Sequence, residues 1–555
     1  MNISLAMKKF SVIIVMLISS LNTFSQPYNE LIRRVDSLFV PWTSNNAPGC
    51  AVAIYKDGQV IHSKGYGMAN LEHHIPIKPN TVFSVASVSK PFTAFAILML
   101  EHEGKLSLED DIRKYLPEIK DFGQIITIRH LMNFTSGLKE VFTLMVNSGW
   151  KMEDLTTNRD IFNVLKSQTT LNFEPGSTFM YNNSSYFLLA RIVERVTNRR
   201  FSDFMDERVF KPLGMNNTSI VDDITTTIID RADSYFNEGD EFRNSISNSE
   251  TDGATGIYST VEDLSKWIEN MYTGRVGSPE IIKKMTIQSR LSNGDLLEYG
   301  LGFSLNKNKG EKIVWQNGIA YGYRSIIVWY PGNDFGIIIL SNNGSFNSIL
   351  QANLLADIFI PENANLPDQE LTNKVSLSSN QIQQYSGEYT GSYECEIGIN
   401  KNTVTLTLPW ENKTYMLSQI SKNSFIGKMD DGFGQTIKVA FPEEDKGLLL
   451  LSFGNVKYKL IKKVKSIINI ESLNAFQGEY HNEEINSNYT VILKNDTLLL
   501  RQFRREDIPL IYRGNNTFTT GTWVINDIKF IKNKGGVEAF ILNGYGVPNL
   551  VFKKK

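Results

Sequence analysis

Between residues 26 and about 362, the hydrophobic pattern alternates between strand-like and helix-like segments. CAVAIYKDGQVIHSKGYG at 50–67 predicts a β-hairpin turning at Asp57-Gly58, and SIIVWYPGNDFGIIILSNN at 325–343 predicts a second hairpin. Helices are predicted between them, at KPFTAFAILMLEHEG (90–104), SSYFLLARIVERV (184–196) and VEDLSKWIENMY (261–272). Strands at both ends with helices between them predict an α+β domain over residues 26–362, with one sheet built from its two ends.

The pattern changes after this domain. PENANLPDQELTNK at 361–374 is polar and contains two prolines, which predicts a linker, placed at 363–378. Short alternating strands follow in two similar blocks: YSGEY at 385–389 is repeated as FQGEY at 476–480, and NTVTLTL at 402–408 parallels DTLLLRQ at 496–502. We therefore expect two duplicated all-β domains, 379–463 and 464–555, each long enough for an up-and-down or lipocalin-like barrel of about eight strands.

The first 25 residues have the composition of a targeting segment. Lys8 and Lys9 precede FSVIIVMLISSL, an apolar run of 12 residues, and Ser25 is a plausible cleavage position. The run is too short to span a bilayer, so a removed signal peptide is predicted, with an uncleaved N-terminal anchor as the alternative. A signal peptide implies a secreted or periplasmic protein with no integral membrane span after its removal.

Composition excludes several classes of function. With 41% hydrophobic and 21% charged residues, the 555-residue chain has the composition of an ordinary globular protein. Its formal net charge of -2 gives no basic surface for nucleic acid, which is therefore not an expected partner. Two cysteines, Cys50 and Cys395, give no disulfide framework, and the six histidines form no HExxH pattern. We expect no metal or cofactor, and the oligomeric state is left open.

The spacing Ser-x-x-Lys occurs four times, starting at serines 87, 136, 148 and 304. Ser87 would lie in the first turn of an apolar helix, where its side chain would be exposed and its backbone N–H free to bind an oxyanion. Lys90 falls one turn later, and burial against this helix would depress its pKa, as a neutral base requires. The other three pairs lie in polar turns and are expected to be solvated.

The residues around Ser87 resemble a known family. FSVASVSKPFTAFAILMLEHEGKLSLEDDI at 83–112 is similar to the nucleophile region of the serine β-lactamase and penicillin-binding-protein superfamily. The similarity continues, in order, through IRHLMNFTSGL (128–138), EPGSTFMYNNSSYFLLARIVE (174–194), FKPLGMNNTS (210–219) and GIYSTVEDLSKW (256–267). The resemblance covers roughly residues 30–345 and implies a β-lactamase-like antiparallel sheet flanked by helices.

This resemblance implies roles for four residues. Ser87 would be the acylated nucleophile and Lys90 its general base. Tyr181 and Asn183 match the family's Tyr-x-Asn motif. Tyr181 would relay protons, with its pKa lowered by the nearby lysine charge. Asn183 would bind a substrate amide or carbonyl and steady Lys90.

The third motif departs from the family pattern. Where the family has Lys or His, one residue and Gly, this chain has Gln316-Asn317-Gly318. Gly318 would let the substrate backbone approach, and the N–H of Ile319 would join that of Ser87 as an oxyanion donor. Gln316 lacks the usual charge, and losing a charge-assisted hydrogen bond costs about 1.5–3 kcal/mol. Arg324 could restore a positive charge nearby.

Three hypotheses for the function follow. The first is a secreted serine hydrolase working through an acyl-enzyme on a small peptide, ester or peptidoglycan fragment. The three-part layout resembles that of D-aminopeptidases, which favours D-amino-acid peptides, whereas Gln316 makes efficient β-lactam hydrolysis a weaker expectation. The second is a catalytically weak or inactive protein that binds peptidoglycan or peptide. The third is a carbohydrate-binding surface formed by aromatic residues of the barrels.

Overall fold

The computed structural model describes residues 29–555 apart from 240, 361–382, 392–393, 401–402, 409–412, 430–435, 446, 454–455, 464–467 and 523. The predicted signal peptide (1–25) and the predicted linker (363–378) lie outside the described residues. In the part of the chain that is described, no helix is long and apolar enough to cross a membrane.

The N-terminal domain is built on an antiparallel sheet of six strands in the order β10-β11-β12-β13-β1-β2. These strands are β1 (Cys50–Lys56), β2 (Gln59–Tyr66), β10 (Ser304–Asn308), β11 (Glu311–Ala320), β12 (Tyr323–Tyr330) and β13 (Phe335–Ser341). Shorter strands lie between them in the chain: β3 (Met68–Asn70), β4 (Ile75–Pro76), β5 (Phe83–Ser84), β6 (Ser219–Ile220), β7 (Tyr235–Glu238), β8 (Glu241–Asn244) and β9 (Ile257–Ser259). The predicted pairing of the two ends of the domain is confirmed, because β1 pairs with β13.

Helices cover both faces of this sheet. They are α1 (29–39), α2 (Ser89–His102), α3 (Ile128–Met132), α4 (Val141–Asn147), α5 (Asn158–Ser167), α6 (Asn183–Thr197), α7 (Phe201–Met205), α8 (Lys211–Leu213), α9 (Val261–Thr273), α10 (Pro279–Met285) and α11 (Ser348–Phe359). Helices α2 and α9 pack on one face, and α1 and α11 on the other. The inner strands β1, β12 and β13 are buried between these layers, which explains their almost continuous apolar sequences.

Both predicted hairpins are present. Asp57-Gly58 joins β1 to β2, and Asp57 and Gly58 both have positive φ, as a two-residue hairpin turn requires. Residues 331–334 join β12 to β13. The three predicted helices correspond to α2, α6 and α9.

Two closed eight-stranded barrels follow the N-terminal domain. Barrel 1 comprises β14 (Gly387–Gly391), β15 (Glu394–Asn400), β16 (Thr403–Leu408), β17 (Lys413–Ser421), β18 (Ser424–Lys428), β19 (Thr436–Ala440), β20 (Leu448–Phe453) and β21 (Val456–Lys462). Barrel 2 begins after the short helix α12 (Ile470–Leu473) and comprises β22 (Gly478–Asn482), β23 (Ser487–Lys494), β24 (Thr497–Gln502), β25 (Ile508–Gly514), β26 (Thr517–Thr522), β27 (Ile525–Asn533), β28 (Gly536–Gly544) and β29 (Val547–Lys554). The predicted all-β class is confirmed. The sequence pattern did not decide whether the barrels close, and the structure shows that both are closed.

Barrel 2 is docked on the N-terminal domain through α4. Leu144 and Val146 of this helix belong to the apolar core of barrel 2. At the end of α4, the Asn147 amide donates to the Val524 carbonyl at 3.1 Å, and the Gln502 amide donates to the Asn147 carbonyl at 2.6 Å. Helix α4 is thereby held by contacts with barrel 2 as well as by its own domain.

Candidate active site

Ser87 lies on a tight turn directly before helix α2. The turn Ala86–Val88 is a 3-10 helix, and Ala86 has a φ of 49°. A left-handed conformation at a residue with a side chain stores strain, and such strain is concentrated at functional sites. The sequence predicted Ser87 within the first turn of the helix, and the structure places it one short turn earlier.

Lys90 is fully buried in the first turn of α2, with its ammonium nitrogen in contact with three oxygens. Its Nζ lies 2.8 Å from Ser87 Oγ, 2.9 Å from Asn183 Oδ1 and 2.9 Å from the Ala254 carbonyl. Burial lowers the pKa of Lys90 from 10.5 to about 7, and the negative charge of Glu140 acts in the opposite direction. Near neutral pH, a substantial fraction of Lys90 therefore has a lone pair for the Ser87 proton.

Asn183 connects Lys90 to a buried carboxyl that the sequence gave no reason to single out. The Asn182 side chain caps α6 by accepting the Ser185 N–H, so that the helix begins at Asn183. The Asn183 N–H donates to Glu140 Oε2 at 2.6 Å, and its side-chain amide donates to Glu140 Oε1 at 3.1 Å. Glu140 thus holds the Asn183 amide with its oxygen towards Lys90. No periodicity or motif marks Glu140, because its role depends on contacts with distant residues.

Tyr181 completes the group, with its ring 4.8 Å from Lys90 Nζ. Burial raises the pKa of Tyr181 above its usual value, although hydrogen bonds with Ser87 and Gln316 oppose this shift. The expectation that a lysine charge lowers the pKa of Tyr181 is wrong, because burial of the phenol is the largest influence and raises its pKa. Tyr181 is therefore a neutral phenol that can donate or pass on a proton.

Strand β11 presents an open backbone edge to this group. β10 pairs with β11 only as far as Trp315, and a two-residue turn joins Ala320 to Tyr323. Counted from that turn, hydrogen-bonded and non-hydrogen-bonded residue pairs alternate along β11 and β12. The backbone N–H and C=O groups of Asn317 and Ile319 therefore point away from β12, towards the open edge. The Gln316 side chain agrees with this orientation, because its Nε2 donates to the Asn317 carbonyl at 2.9 Å. The Ile319 N–H therefore faces the space beside Ser87, where a second oxyanion donor was predicted.

Gly318 also has a packing role that the sequence did not predict. A Cβ at this position would lie 2.3 Å from the Val85 carbonyl oxygen and 2.9 Å from the Ser87 nitrogen. The absence of a side chain allows the nucleophile turn to pack against β11. The predicted approach of the substrate backbone at Gly318 stays a prediction.

One of the other Ser-x-x-Lys pairs also differs from expectation. Ser136 and Lys139 are buried rather than solvated. Lys139 forms a buried ion pair with Glu484 of barrel 2 at 2.8 Å and also donates to Thr170. Docking of the barrel removes this pair from solvent, which the polar turn sequence could not reveal.

A cavity of about 1080 Å³ opens in front of Ser87 and is lined by residues of all three domains. Phe453 and Tyr458 contribute from barrel 1, and Tyr545 from barrel 2. Gln316, Asn317, Ile319 and Arg324 line it from the central sheet, together with Tyr181 and Asn183 from the start of α6. Of the three predicted catalytic residues, Ser87 and Tyr181 line this cavity, whereas Lys90 is fully buried. Among the described residues, no cluster of three or more His, Cys, Asp or Glu side chains could hold a metal ion.

Comparison with known proteins agrees with the fold and with the position of the motifs. Residues 30–357 match the family model described as Beta-lactamase. Penicillin-binding protein 4* of Bacillus subtilis (strain 168) is 30% identical over 372 residues, covering 63% of this chain and 80% of that protein. A D-aminopeptidase of Gluconobacter oxydans (strain 621H) is 27% identical over 310 residues, covering 56% of this chain. The chain spans 58% of the length of that D-aminopeptidase.

The solved structure of an octameric penicillin-binding protein homologue from Pyrococcus abyssi has the same fold, with a TM-score of 0.53 and 23% identity. The alignment covers 78% of this chain and 100% of the Pyrococcus chain. The family match takes in the nucleophile turn, the Tyr-x-Asn segment and β11. The chain therefore belongs to the β-lactamase family, within the superfamily of β-lactamase-like and penicillin-binding-protein-like serine hydrolases.

Proposed function

We propose that this protein hydrolyses amide or ester substrates through an acyl-enzyme formed on Ser87. The observation that carries the proposal is the contact of 2.8 Å between Ser87 Oγ and a fully buried Lys90, whose pKa is lowered to about 7. A nucleophile within hydrogen-bond reach of a neutral base is the arrangement that serine acylation requires. A protein that only binds a ligand would have no need to bury this lysine.

In the proposed acylation step, neutral Lys90 takes the proton of Ser87 as Oγ bonds to the substrate carbonyl carbon. The carbonyl oxygen becomes an oxyanion and accepts hydrogen bonds from the N–H groups of Ser87 and Ile319. The bond to the leaving group then breaks. Protonated Lys90 returns its proton through the hydroxyl of Tyr181 to the leaving nitrogen or oxygen, which leaves the acyl group on Ser87.

Deacylation reverses these roles. A water molecule loses a proton to Lys90 by way of Tyr181 while its oxygen bonds to the acyl carbon. The tetrahedral intermediate collapses by breaking the bond to Ser87 Oγ, and protonated Lys90 restores the serine hydrogen. Tyr181 passes a proton in both steps without ionising for long, in agreement with its raised pKa.

We propose D-amino-acid peptides or small esters as the substrates, acted on outside the cytoplasm. Support comes from the similarity to a penicillin-binding protein and to D-aminopeptidases, and from the predicted signal peptide. The cavity walls contributed by both barrels agree with a substrate larger than a simple acetyl ester.

The test is intact-mass spectrometry of the purified protein after exposure to a fluorophosphonate, with Ser87→Ala treated in parallel. One adduct is expected on the wild-type chain and none on the variant. Turnover of an activated ester should disappear in Ser87→Ala as well. Wild-type turnover surviving in Ser87→Ala would refute the proposal.

A second candidate is a protein of the same fold that binds peptide or peptidoglycan without efficient turnover. Gln316 favours it, because the position that carries a cation in the family is neutral here. Its Oε1 is buried without a hydrogen-bond partner among the described residues, so a ligand N–H could donate to it. Ligand binding unchanged in Ser87→Ala, with no adduct on the wild-type chain, would favour this candidate.

A further inference from the structure

The carbonyl of Ala254 is one of three oxygen groups in contact with Lys90. The Lys90 Nζ lies 2.9 Å from this carbonyl, 2.9 Å from Asn183 Oδ1 and 2.8 Å from Ser87 Oγ. A neutral amine has two N–H bonds and one lone pair. When the two N–H bonds are donated to Ala254 and Asn183, the lone pair points at Ser87. The direction of this lone pair therefore depends on where the Ala254 carbonyl is held.

The loop of residues 251–256, which carries Ala254, is bound to two helices. On α2, Thr93 Oγ1 donates to the Gly253 carbonyl at 2.8 Å. Gly253 has a φ of 77°, and a Cβ at this position would lie 2.4 Å from the Tyr186 carbonyl oxygen of α6. At Gly253, the loop therefore packs directly against the backbone of α6.

Asp252 is a buried acidic residue at the beginning of the turn that orients Ala254. The Ala254 N–H donates to the Asp252 carbonyl at 2.9 Å, and the Asp252 N–H donates to Asn158 Oδ1 at 3.1 Å. The Asp252 carboxylate accepts from Nη2 of Arg191, a residue of α6. Nη1 of the same guanidinium pairs with Glu194, three residues further along α6, at 2.9 Å. The guanidinium thereby ties the Ala254 turn to the helix.

The ion pair between Arg191 and Asp252 affects the active site through position rather than through charge. Burial raises the pKa of Asp252 to about 6, while Arg191 acts in the opposite direction and Asp222 in the same one. Arg191 Nε is buried without a hydrogen-bond partner among the described residues, so the desolvation of the guanidinium is incompletely offset. A buried pair of this kind adds little net stability. Because the charge that shifts the pKa of Lys90 is that of Glu140, the pair acts on Lys90 through the loop that it holds.

We propose that Arg191 and Asp252 are positioning residues of the active site. They hold the Ala254 carbonyl in place as an acceptor for Lys90, so that the lone pair of the neutral lysine points at the nucleophile. Helix α6 then fixes both acceptors of the lysine, one at its first residue and the other through Arg191 two turns later. The inference rests on the proposed hydrolase function, because it assigns two further residues to the same proton transfer.

The experiment measures the rate at which a fluorophosphonate labels Ser87 from pH 5 to 9, expressed per folded molecule, with urea unfolding in parallel. Arg191→Met replaces the guanidinium by an apolar side chain, and Arg191→Lys keeps a cation that can reach Asp252. Arg195→Met is the matched control. Arg195 lies on the same helix, about one turn further along, in a more exposed ion pair with Glu118.

In Arg191→Met, we expect the plateau rate to fall about ten- to a hundred-fold, because the lone pair is no longer directed at the serine. The midpoint of the pH profile should move down by about one unit, since the ammonium form of Lys90 loses a charge-assisted hydrogen bond with the Ala254 carbonyl. Loss of the Arg191 charge alone would move the midpoint up, because a cation that disfavours protonated Lys90 would be removed. Arg191→Lys should recover part of the rate, and Arg195→Met should match the wild-type protein.

A wild-type rate in Arg191→Met would overturn the proposal. A slower rate with an unchanged or raised midpoint would also overturn it, because a purely structural effect does not lower the pKa of the lysine. If Arg191→Met does not fold, the same two readouts are taken from Arg191→Met combined with Asp252→Leu, which leaves no buried charge behind. Absence of labelling in the wild-type chain contradicts the hydrolase itself, whereas a labelled wild-type chain with an unaltered Arg191→Met contradicts the positioning role alone.

Discussion

At the scale of single residues, the proposed chemistry depends on a balance between burial and charge at Lys90. Desolvation lowers its pKa to about 7, while the negative charge of Glu140 raises it. Besides Glu140, its surroundings are Ser87, Asn183, the Ala254 carbonyl and the rings of Tyr181 and Tyr186. Because Lys90 must be neutral to accept the Ser87 proton, the rate of serine labelling should rise with pH and level off above about 7.

Substituting Glu140 tests this balance. Glu140→Gln removes the charge that stabilises protonated Lys90, so the pKa of Lys90 should fall further. The midpoint of the pH profile should then move to lower pH, by about one unit. The plateau should also be lower, because one oxygen that accepts from Asn183 becomes an amide group.

The rate of fluorophosphonate labelling, measured from pH 5 to 9, provides the profile. Glu262→Gln is the control, since this residue is exposed in the first turn of α9 and should leave the midpoint unchanged. A midpoint for Glu140→Gln equal to or above that of the wild-type protein would contradict the role assigned to Glu140.

At the scale of elements, the site is an assembly of three short pieces that meet at their ends. The nucleophile turn, the beginning of α6 and the open edge of β11 each contribute one or two groups. Gly318 is where the first and third pieces touch, since Val85 and Ser87 occupy the space of its missing side chain. The position of Ser87 therefore depends on the absence of one carbon atom in β11.

Gly318→Ala should displace the nucleophile turn. The new Cβ would lie under 3.0 Å from two backbone atoms, so either β11 or the turn must move. We expect Ser87 labelling to fall at least tenfold and the free energy of unfolding to drop by about 1–3 kcal/mol, as in overpacked cores. Labelling kinetics and urea unfolding measure the two effects.

Gly332→Ala is the matched control for this substitution. Gly332 lies in the turn between β12 and β13, and a Cβ there would meet only the Glu311 carboxylate at 3.4 Å. The Gly332→Ala variant should have the same rate of Ser87 labelling and the same free energy of unfolding as the wild-type protein. Labelling of Gly318→Ala at the wild-type rate would show that the turn is not held by this contact.

At the scale of the whole molecule, the sequence predicted the parts better than the contacts between them. Hairpins, helices and duplicated barrels follow from local periodicity and turn residues, and the Ser87, Lys90, Tyr181 and Asn183 positions follow from ordered motifs. Lys139 was expected to be solvated because its partner, Glu484, lies 345 positions away in another domain. The pKa shift of Tyr181 and the role of Glu140 were missed for the same reason, since burial arises only when distant segments pack.

Contacts made by barrel 2 also extend to the proposed catalytic residues. The Glu140 N–H donates to the Gly546 carbonyl at 3.0 Å, and Asn172 donates to the same oxygen at 2.9 Å. Lys139, the residue before Glu140, is paired with Glu484. Barrel 2 therefore fixes the backbone from which Glu140 holds Asn183, and Asn183 in turn contacts Lys90. Loosening this interface should lower the rate at which Ser87 is labelled, without changing any residue of the site.

Glu484→Gln tests this connection. The side chains of Lys139 and Glu484 are 2% and 9% exposed, so removing one charge leaves the other buried without compensation. Breaking such a pair costs about 3–5 kcal/mol in the free energy of unfolding. We expect that loss in urea unfolding, together with slower fluorophosphonate labelling of Ser87 in the folded protein.

Two further variants make the result specific. Arg504→Gln breaks a more exposed ion pair with Asp154 in the same interface and should cost about 0.2–1 kcal/mol, with labelling unchanged. Lys139→Met combined with Glu484→Leu removes both buried charges and should restore most of the stability, since apolar replacement of a buried pair is often neutral or better. If the double variant regains its stability but its Ser87 is still labelled slowly, the ion pair itself positions Glu140. If both stability and labelling rate recover in the double variant, docking of barrel 2 is sufficient to position Glu140. If Glu484→Gln is destabilised but is labelled at the wild-type rate, Glu140 holds its place without the barrel.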